Sequence, residues 1–124
     1  LFVPSVGKFR QGMLVSVPLH LWALPGAPKT AALQEALEAH YRGQGFVSVV
    51  PAAQSGGLAR LDPEAVNGSN ELRLYVFANE SGDQALLVAQ LDNLGKGASG
   101  AAVQCLNLMI GQQPAAGLTD KLVA

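Results

Sequence analysis

Glu71-Leu-Arg-Leu-Tyr-Val-Phe-Ala-Asn-Glu-Ser-Gly-Asp-Gln-Ala-Leu-Leu-Val-Ala-Gln-Leu91, followed by Asp92-Asn-Leu-Gly-Lys-Gly-Ala-Ser-Gly100, is the stretch on which the fold turns. Glu71 to Ala78 and Ala85 to Leu91 read as two strands joined by Asn79-Glu-Ser-Gly-Asp83, a loop of ordinary hairpin length. The second run is apolar on both faces, which suits a central strand covered on each side. The glycine run behind it matches G-x-G-x-x-G, follows a strand and opens a helix, as the phosphate loop of a dinucleotide fold does. That fold also needs a second strand after the helix, ending in an acid that holds the ribose. Asp120 stands at about the required distance, but the intervening tail carries Pro114, two glycines and no strand of useful length. A Walker A loop fails outright, because no Gly-Lys-Ser/Thr follows four residues after a glycine. What survives is local: glycines and alanine at a helix start expose backbone N–H groups and admit an anion or a planar ring.

Upstream, Met13-Leu-Val-Ser-Val-Pro-Leu-His-Leu-Trp22 alternates, with Met13, Val15, Val17, Leu19 and Leu21 on one face. Period two and β-branched residues predict a strand, and Pro18, lacking an N–H, places it at an edge or beside a bulge. Pro25-Gly-Ala-Pro28 breaks the chain, and Thr30 is a candidate N-cap for a helix over Lys29 to Arg42. Leu33, Leu37 and Tyr41 share one face of that helix, and Gly43 sits where a C-terminal glycine belongs. Phe46 to Val50 predicts a short strand, and Pro51 to Asn70 a long loop. After the hairpin, Ala101 to Ile110 predicts a small-residue helix that Gly111 ends, with a weak tail over Pro114 to Ala124. The order is strand, helix, strand, loop, strand, strand, helix. Its natural architecture is α+β: an antiparallel or mixed sheet with helices packed on one face.

The 124 residues and 12.8 kDa suit a single domain over 1–124. Hydrophobic residues make up 49% and charged residues 14%, a balance that excludes a disordered chain. Low charge beside high apolarity points to a surface that meets other protein. Eight Lys plus Arg against nine Asp plus Glu provide no basic field for a phosphate backbone, so nucleic acid is not an expected partner. The longest apolar stretch, Met13 to Leu24, is too short for a membrane span and is broken by Ser16, Pro18 and His20. Leu1-Phe-Val-Pro4 has neither an initiator Met nor a charged leader, and reads as the opening of an excised domain.

The residue types that carry chemistry are few. The one cysteine, Cys105, lies mid-helix among Ala101, Ala102 and Met109, where a small buried hydrophobe is expected. It excludes a disulfide framework or multi-cysteine metal site and fits a reducing, cytoplasmic setting. A nucleophilic cysteine needs an activating base or a helix N-terminus, and neither stands beside it. His20 and His40 have no second ligand at metal spacing and read as structural histidines. Lys8, Arg10 and Gln11 cluster ahead of the first strand, where two basic groups between glycines could hold an anionic substrate or simply form a solvated loop.

Leu91-Asp-Asn-Leu-Gly-Lys-Gly-Ala-Ser-Gly-Ala-Ala-Val-Gln-Cys-Leu-Asn-Leu-Met-Ile-Gly111 resembles the C-terminal signature of N-acetyl-γ-glutamyl-phosphate reductases. Phe9-Arg-Gln-Gly-Met13 and Val66-Asn-Gly-Ser-Asn70 resemble two further segments of that family, in the same order and spacing. The resemblance implies a glyceraldehyde-3-phosphate-dehydrogenase-like C-terminal domain, a homo-oligomer interface, and a place in arginine biosynthesis. In the complete enzyme NADPH would reduce N-acetylglutamyl phosphate to the semialdehyde through a cysteine of a Gly-Cys-Tyr-Pro motif and a histidine of a His-x-Pro-Glu motif. Neither motif is in this chain, so it carries no catalytic residue and is expected to be inactive alone. The resemblance assigns Asn93 to the nicotinamide carboxamide, Gly95, Gly97 and Ala98 to close approach of the cofactor, and Lys8, Arg10 and Gln11 to the substrate. Arg10 stands one place off the more widespread Arg-Gly pattern of the family. The last helix, about 98–110, would pack on the nucleotide domain. Three alternatives remain: Asn93 simply capping that helix, the chain being a stand-alone binding or regulatory domain that reuses the fold, and a compact nucleotide-binding unit built on Gly95 to Gly100.

Overall fold

The computed structural model describes residues 2–118, and in it the hairpin forms the middle of a four-stranded sheet. The strands are β1 (Met13–His20), β2 (Val47–Val49), β3 (Leu72–Ala78) and β4 (Gln84–Leu91), in the order β1-β4-β3-β2. β4 pairs antiparallel with both β1 and β3, whereas β2 runs parallel to β3, so the sheet is mixed. β4 is central, as its two apolar faces require. Ala85 and Leu91 are buried on one face, Val88 and Gln90 on the other. β1 is an edge strand and takes Pro18 opposite Leu86 without loss of a bond on its outer side.

Helix α1 (Thr30–His40) packs on the β2–β3 half of the face that carries Val15, Val17, Leu74, Leu87 and Ala89, so that Leu37 and Tyr41 border these residues while Val15 and Val17 stay exposed on β1. Its start differs from expectation. Lys29, extended at φ −86° and ψ 159°, is the N-cap residue and offers no side-chain bond, so Thr30 is the first helical residue. From there its hydroxyl cannot reach the free N–H groups ahead, and Oγ1 is buried without a partner. Gly43 follows the helix at φ +79°, as expected of a glycine beyond a helix end.

The segment read as a long loop contains a four-residue helix, α2 (Ala52–Ser55), which Pro51 starts with its fixed φ of −55°. The chain beyond α2 is tied to the sheet face opposite α1. There Tyr75 Oη donates to Gln90 Oε1 at 2.8 Å, and Gln90 Nε2 donates to the carbonyl of Asp62 at 2.5 Å. Leu21, Phe46, Val66, Tyr75, Val76, Ala85, Val88 and Leu91 form the core. Removing a side chain such as Leu21 would cost about 2–5 kcal/mol.

β4 runs out into a π-helical turn over Gly95–Ser99, which continues as α3 (Gly100–Met109). The turn is wide: Gly97 N–H donates to the Asp92 carbonyl and Ser99 N–H to that of Leu94, each five residues back. Asn107 Nδ2 donates to the carbonyls of Pro114 and Ala116 and ties the following segment to α3. Asp120, required by the dinucleotide reading, lies outside the described residues.

α3 corrects the reading of Cys105, which is exposed rather than buried. The helix packs against the π-helical turn, and its buried residues are Gly100 and Asn107. Leu106, Leu108, Met109 and Ile110 face outward with Cys105. Apolar spacing marks a face for burial but does not say whether this chain covers it.

Candidate functional site

The three segments singled out in the sequence meet at the carboxylate of Asp92, a residue at the end of β4 with only 1% of its surface exposed. Oδ1 accepts the backbone N–H groups of Leu94 (2.9 Å) and Gly95 (3.1 Å), two and three residues ahead. This is the local turn that an aspartate makes where a strand gives way to a helical turn. Oδ2 accepts two distant donors, Gly68 N–H at 2.8 Å and Gln11 Nε2 at 3.0 Å. No lysine or arginine among the described residues pairs with it, since the ion pair found there is Arg73–Glu71. Burial alone would push the Asp92 carboxyl up, but the N–H groups of Gly68, Gly95 and Leu94 and the Gln11 amide together hold it below the usual aspartate value.

The next residue repeats the pattern. Asn93 Oδ1 accepts the Gly12 N–H at 2.7 Å, so residues 11 and 12 are latched to residues 92 and 93 in step. Asn67 Nδ2 closes the arrangement by donating to the Gln11 carbonyl at 3.0 Å. Gly12 fits because it has no Cβ. Its φ is +110°, and a methyl group there would strike the carbonyl group of Pro63.

The predicted site residues are therefore brought together only in part. Asn93 and Gln11 lie within one hydrogen-bonded cluster. Asn93 is half-exposed, and its Nδ2 has no hydrogen-bond partner among the described residues. The helix-capping alternative for Asn93 fails, because Asp92 performs that task. Gly95 is buried under the Asp92 carboxylate, whereas Gly97 and Ala98 are exposed on the π-helical turn and present backbone with little side-chain bulk. Lys8 and Arg10 are exposed, and neither makes a hydrogen bond or ion pair among the described residues. Lys96 reaches forward onto α3: its Nζ donates to Gln104 Oε1 at 2.6 Å and stands 5.9 Å from the centre of the Phe46 ring. Burial pushes the pKa of this ammonium down, with Cys105 acting in the opposite sense.

Sequence reasoning missed Asp92, Gly12 and Gly68. Asp92 carried one local signal, an aspartate at the end of a strand and three residues before a glycine-rich helical turn, where its side chain can accept the backbone N–H groups two and three residues ahead. Gly12 and Gly68 carried none, because their roles are set by partners 81 and 24 residues away.

A family model described as a semialdehyde dehydrogenase dimerisation domain matches residues 1–93, which take in the loop around Gln11, the Asn67–Gly68 turn and Asp92–Asn93. Among curated proteins, the chain is similar to N-acetyl-gamma-glutamyl-phosphate reductase 2 of Pseudomonas putida, 54% identical over 117 residues, or 94% of this chain and 37% of that protein. It is 50% identical over 121 residues to N-acetyl-gamma-glutamyl-phosphate reductase 2 of Nostoc sp., covering 95% of this chain and 38% of the relative. It is 53% identical over 112 residues to N-acetyl-gamma-glutamyl-phosphate reductase of Brucella ovis, covering 90% and 36%. The chain thus spans somewhat more than a third of the length of the curated relatives it matches.

Proposed function

This chain belongs to the semialdehyde dehydrogenase dimerisation-domain family, and we propose that it is the substrate and oligomerisation domain of an NADP-dependent N-acetyl-γ-glutamyl-phosphate reductase. The observation that carries the reading is the double latch of Gln11 and Gly12 onto Asp92 and Asn93, which sets a basic loop beside a half-exposed asparagine. The cationic Lys8 and Arg10 supply charge for an acyl phosphate, and the free face of the Gln11 amide supplies a neutral contact. The nicotinamide, when bound, supplies the hydride. The residues present fit it. Asn93 Oδ1 is already engaged by Gly12, which leaves Nδ2 to donate to the carboxamide oxygen and so fix which face of the ring is presented. The exposed backbone of Gly97 and Ala98 lets a planar ring come close.

The nucleophile and acid/base of this reaction belong to another part of the enzyme, so the chain alone turns nothing over. The exposed apolar residues of β1 and α3, Val15, Val17, Leu106, Leu108, Met109 and Ile110, support association with another copy and with the nucleotide-binding part. A single cysteine supports a reducing, cytoplasmic setting.

The decisive experiment is Asn93→Asp in the full-length enzyme, assayed as phosphate-dependent NADP⁺ reduction with the semialdehyde. The substitution keeps an oxygen for the Gly12 N–H, removes the outward donor and adds a charge at a half-exposed position, so the fold is largely spared. Loss of orientation lowers kcat by about 10-fold or more. Unchanged kcat and KM for NADP(H) would overturn the assignment of Asn93. Turnover by the isolated chain that Cys105→Ser abolishes would overturn the division of labour.

A further inference from the structure

The proposed reduction needs an acyl phosphate and a nicotinamide held in one register, yet the loop assigned to each comes from a different end of the chain. Residues 11 and 12 approach the substrate, Asn93 approaches the ring, and 81 positions separate the bonded pairs. We propose that Asp92 is a positioning residue that couples the substrate loop to the cofactor loop, one carboxylate oxygen serving each. Oδ1 shapes the cofactor side by holding Leu94 and Gly95, and Oδ2 places the substrate side by holding Gln11 and Gly68. The inference rests on the reductase reading for its kinetic consequence, but not for its structural one.

The chemistry separates the two edges. A carboxylate accepts on both oxygens, whereas an amide accepts on one and donates from the other end. In Asp92→Asn the oxygen stays with Leu94 and Gly95, because these donors are the next residues of the same chain and form the turn wherever position 92 sits. The new NH₂ group then meets Gly68 N–H donor to donor, and it keeps Gln11 only if that amide turns over to accept on Oε1. The Gly68 bond is lost and the Gln11 bond is reversed or lost, so the substrate side shifts while the cofactor loop keeps its shape.

The test is a cycle of variants in the full-length enzyme. Asp92→Asn is expected to raise the KM for the acyl substrate on the order of 10-fold and to leave the KM for NADP(H) within about twofold. Adding Gln11→Glu places a carboxylate opposite the new amide, restoring the pair with donor and acceptor exchanged. The double variant is expected to recover part of the loss in substrate KM, since the Gly68 N–H still lacks its acceptor, although Gln11→Glu alone, which sets two carboxylates together, is expected to be worse than wild type. A general loss of structure reduces the amount of folded enzyme, but it neither splits the two KM values nor yields to the reversed pair. Equal changes in both KM values, or no recovery in the double variant, would overturn the proposal. Amide hydrogen exchange in the 124-residue chain keeps the two readings apart. Asp92→Asn should speed exchange at Gly68, whose acceptor is Oδ2, and spare Gly95 on Oδ1, whether or not the parent is a reductase. Equal protection at Gly68 and Gly95 would overturn the division of the carboxylate between the two sides, whereas an inactive parent with the expected exchange pattern would overturn only the reductase reading.

Discussion

Replacing Gly12 by alanine tests the latch where its geometry is tightest. At φ +110° an L-residue is strained by about 1–3 kcal/mol. The added Cβ would also overlap the carbonyl oxygen of Pro63 and lie 2.9 Å from its carbonyl carbon and 3.0 Å from Asn67 Oδ1. Two of these atoms are backbone, so relief requires moving the chain and stretching the Gly12–Asn93 hydrogen bond, a further cost of about 1 kcal/mol. Alanine reduces the freedom of the unfolded chain and returns about 0.4–1 kcal/mol. The net expectation is a loss of about 3 kcal/mol, or roughly 10 °C in Tm for a domain of this size. Denaturant unfolding of this chain beside Gly26→Ala provides the measurement and its control. Gly26 has φ +75° with no atom within 4 Å of its built Cβ, so its variant bears only the conformational strain, about 1 kcal/mol. Equal losses in the two variants would refute the close approach to Pro63 and, with it, the described placement of the Gln11–Gly12 loop.

Tyr75→Phe removes the donor that holds Gln90 Oε1 in a buried site, and is expected to cost about 1–2 kcal/mol in denaturant unfolding. An unchanged midpoint would mean that this bond contributes nothing to tying the Asp62 segment down. Because the folded carboxyl of Asp92 is held below its unfolded value of about 3.9, the stability it contributes is complete above that pH and is lost as pH falls through the folded value. Glu71, lowered by its hydrogen bond to Arg73, acts in the same direction. Denaturation followed from about pH 6 to about pH 2.5 should therefore show an acid-side decline that Asp92→Asn makes shallower, and identical slopes would contradict the four-donor arrangement. Cys105, being exposed, should react with a thiol reagent in the folded chain about as fast as in denaturant. Strong protection in dilute monomeric chain would return it to the core.

Alternation made β1 legible, the two apolar runs about a short hairpin loop marked β3 and β4, and the doubled apolar faces of β4 anticipated its central position. Pro18 was equally informative, since a missing N–H is a constraint that any sheet must satisfy locally. Thr30 misled because a capping residue is defined by the dihedrals of its own position, and Lys29 is the residue that stays extended. Cys105 misled for a different reason: small and apolar residues on a helix describe what could be covered, not what this chain covers. The site itself was half legible. Asn93 and Gln11 were singled out, but the carboxylate between their segments was not, because closure across 81 residues leaves no periodic trace in the sequence.

The π-helical turn over Gly95–Ser99 also acts as a phase setter for everything after it. It takes up one more residue than an α-turn would, and each residue advances an α-helix by about 100°. Its width therefore fixes the azimuth of α3, pointing Gly100 and Asn107 inward and leaving Leu106, Leu108 and Met109 outward. Gly100 can occupy the inner position because a side chain there would run into Asn70. Deleting a single residue from the turn would leave a helix of the same length and composition, rotated by more than a quarter of a revolution. The apolar row that now looks away from the sheet would be carried round the axis with it, so the direction in which α3 presents its apolar residues is encoded by the residue count of a five-residue turn rather than by the helix.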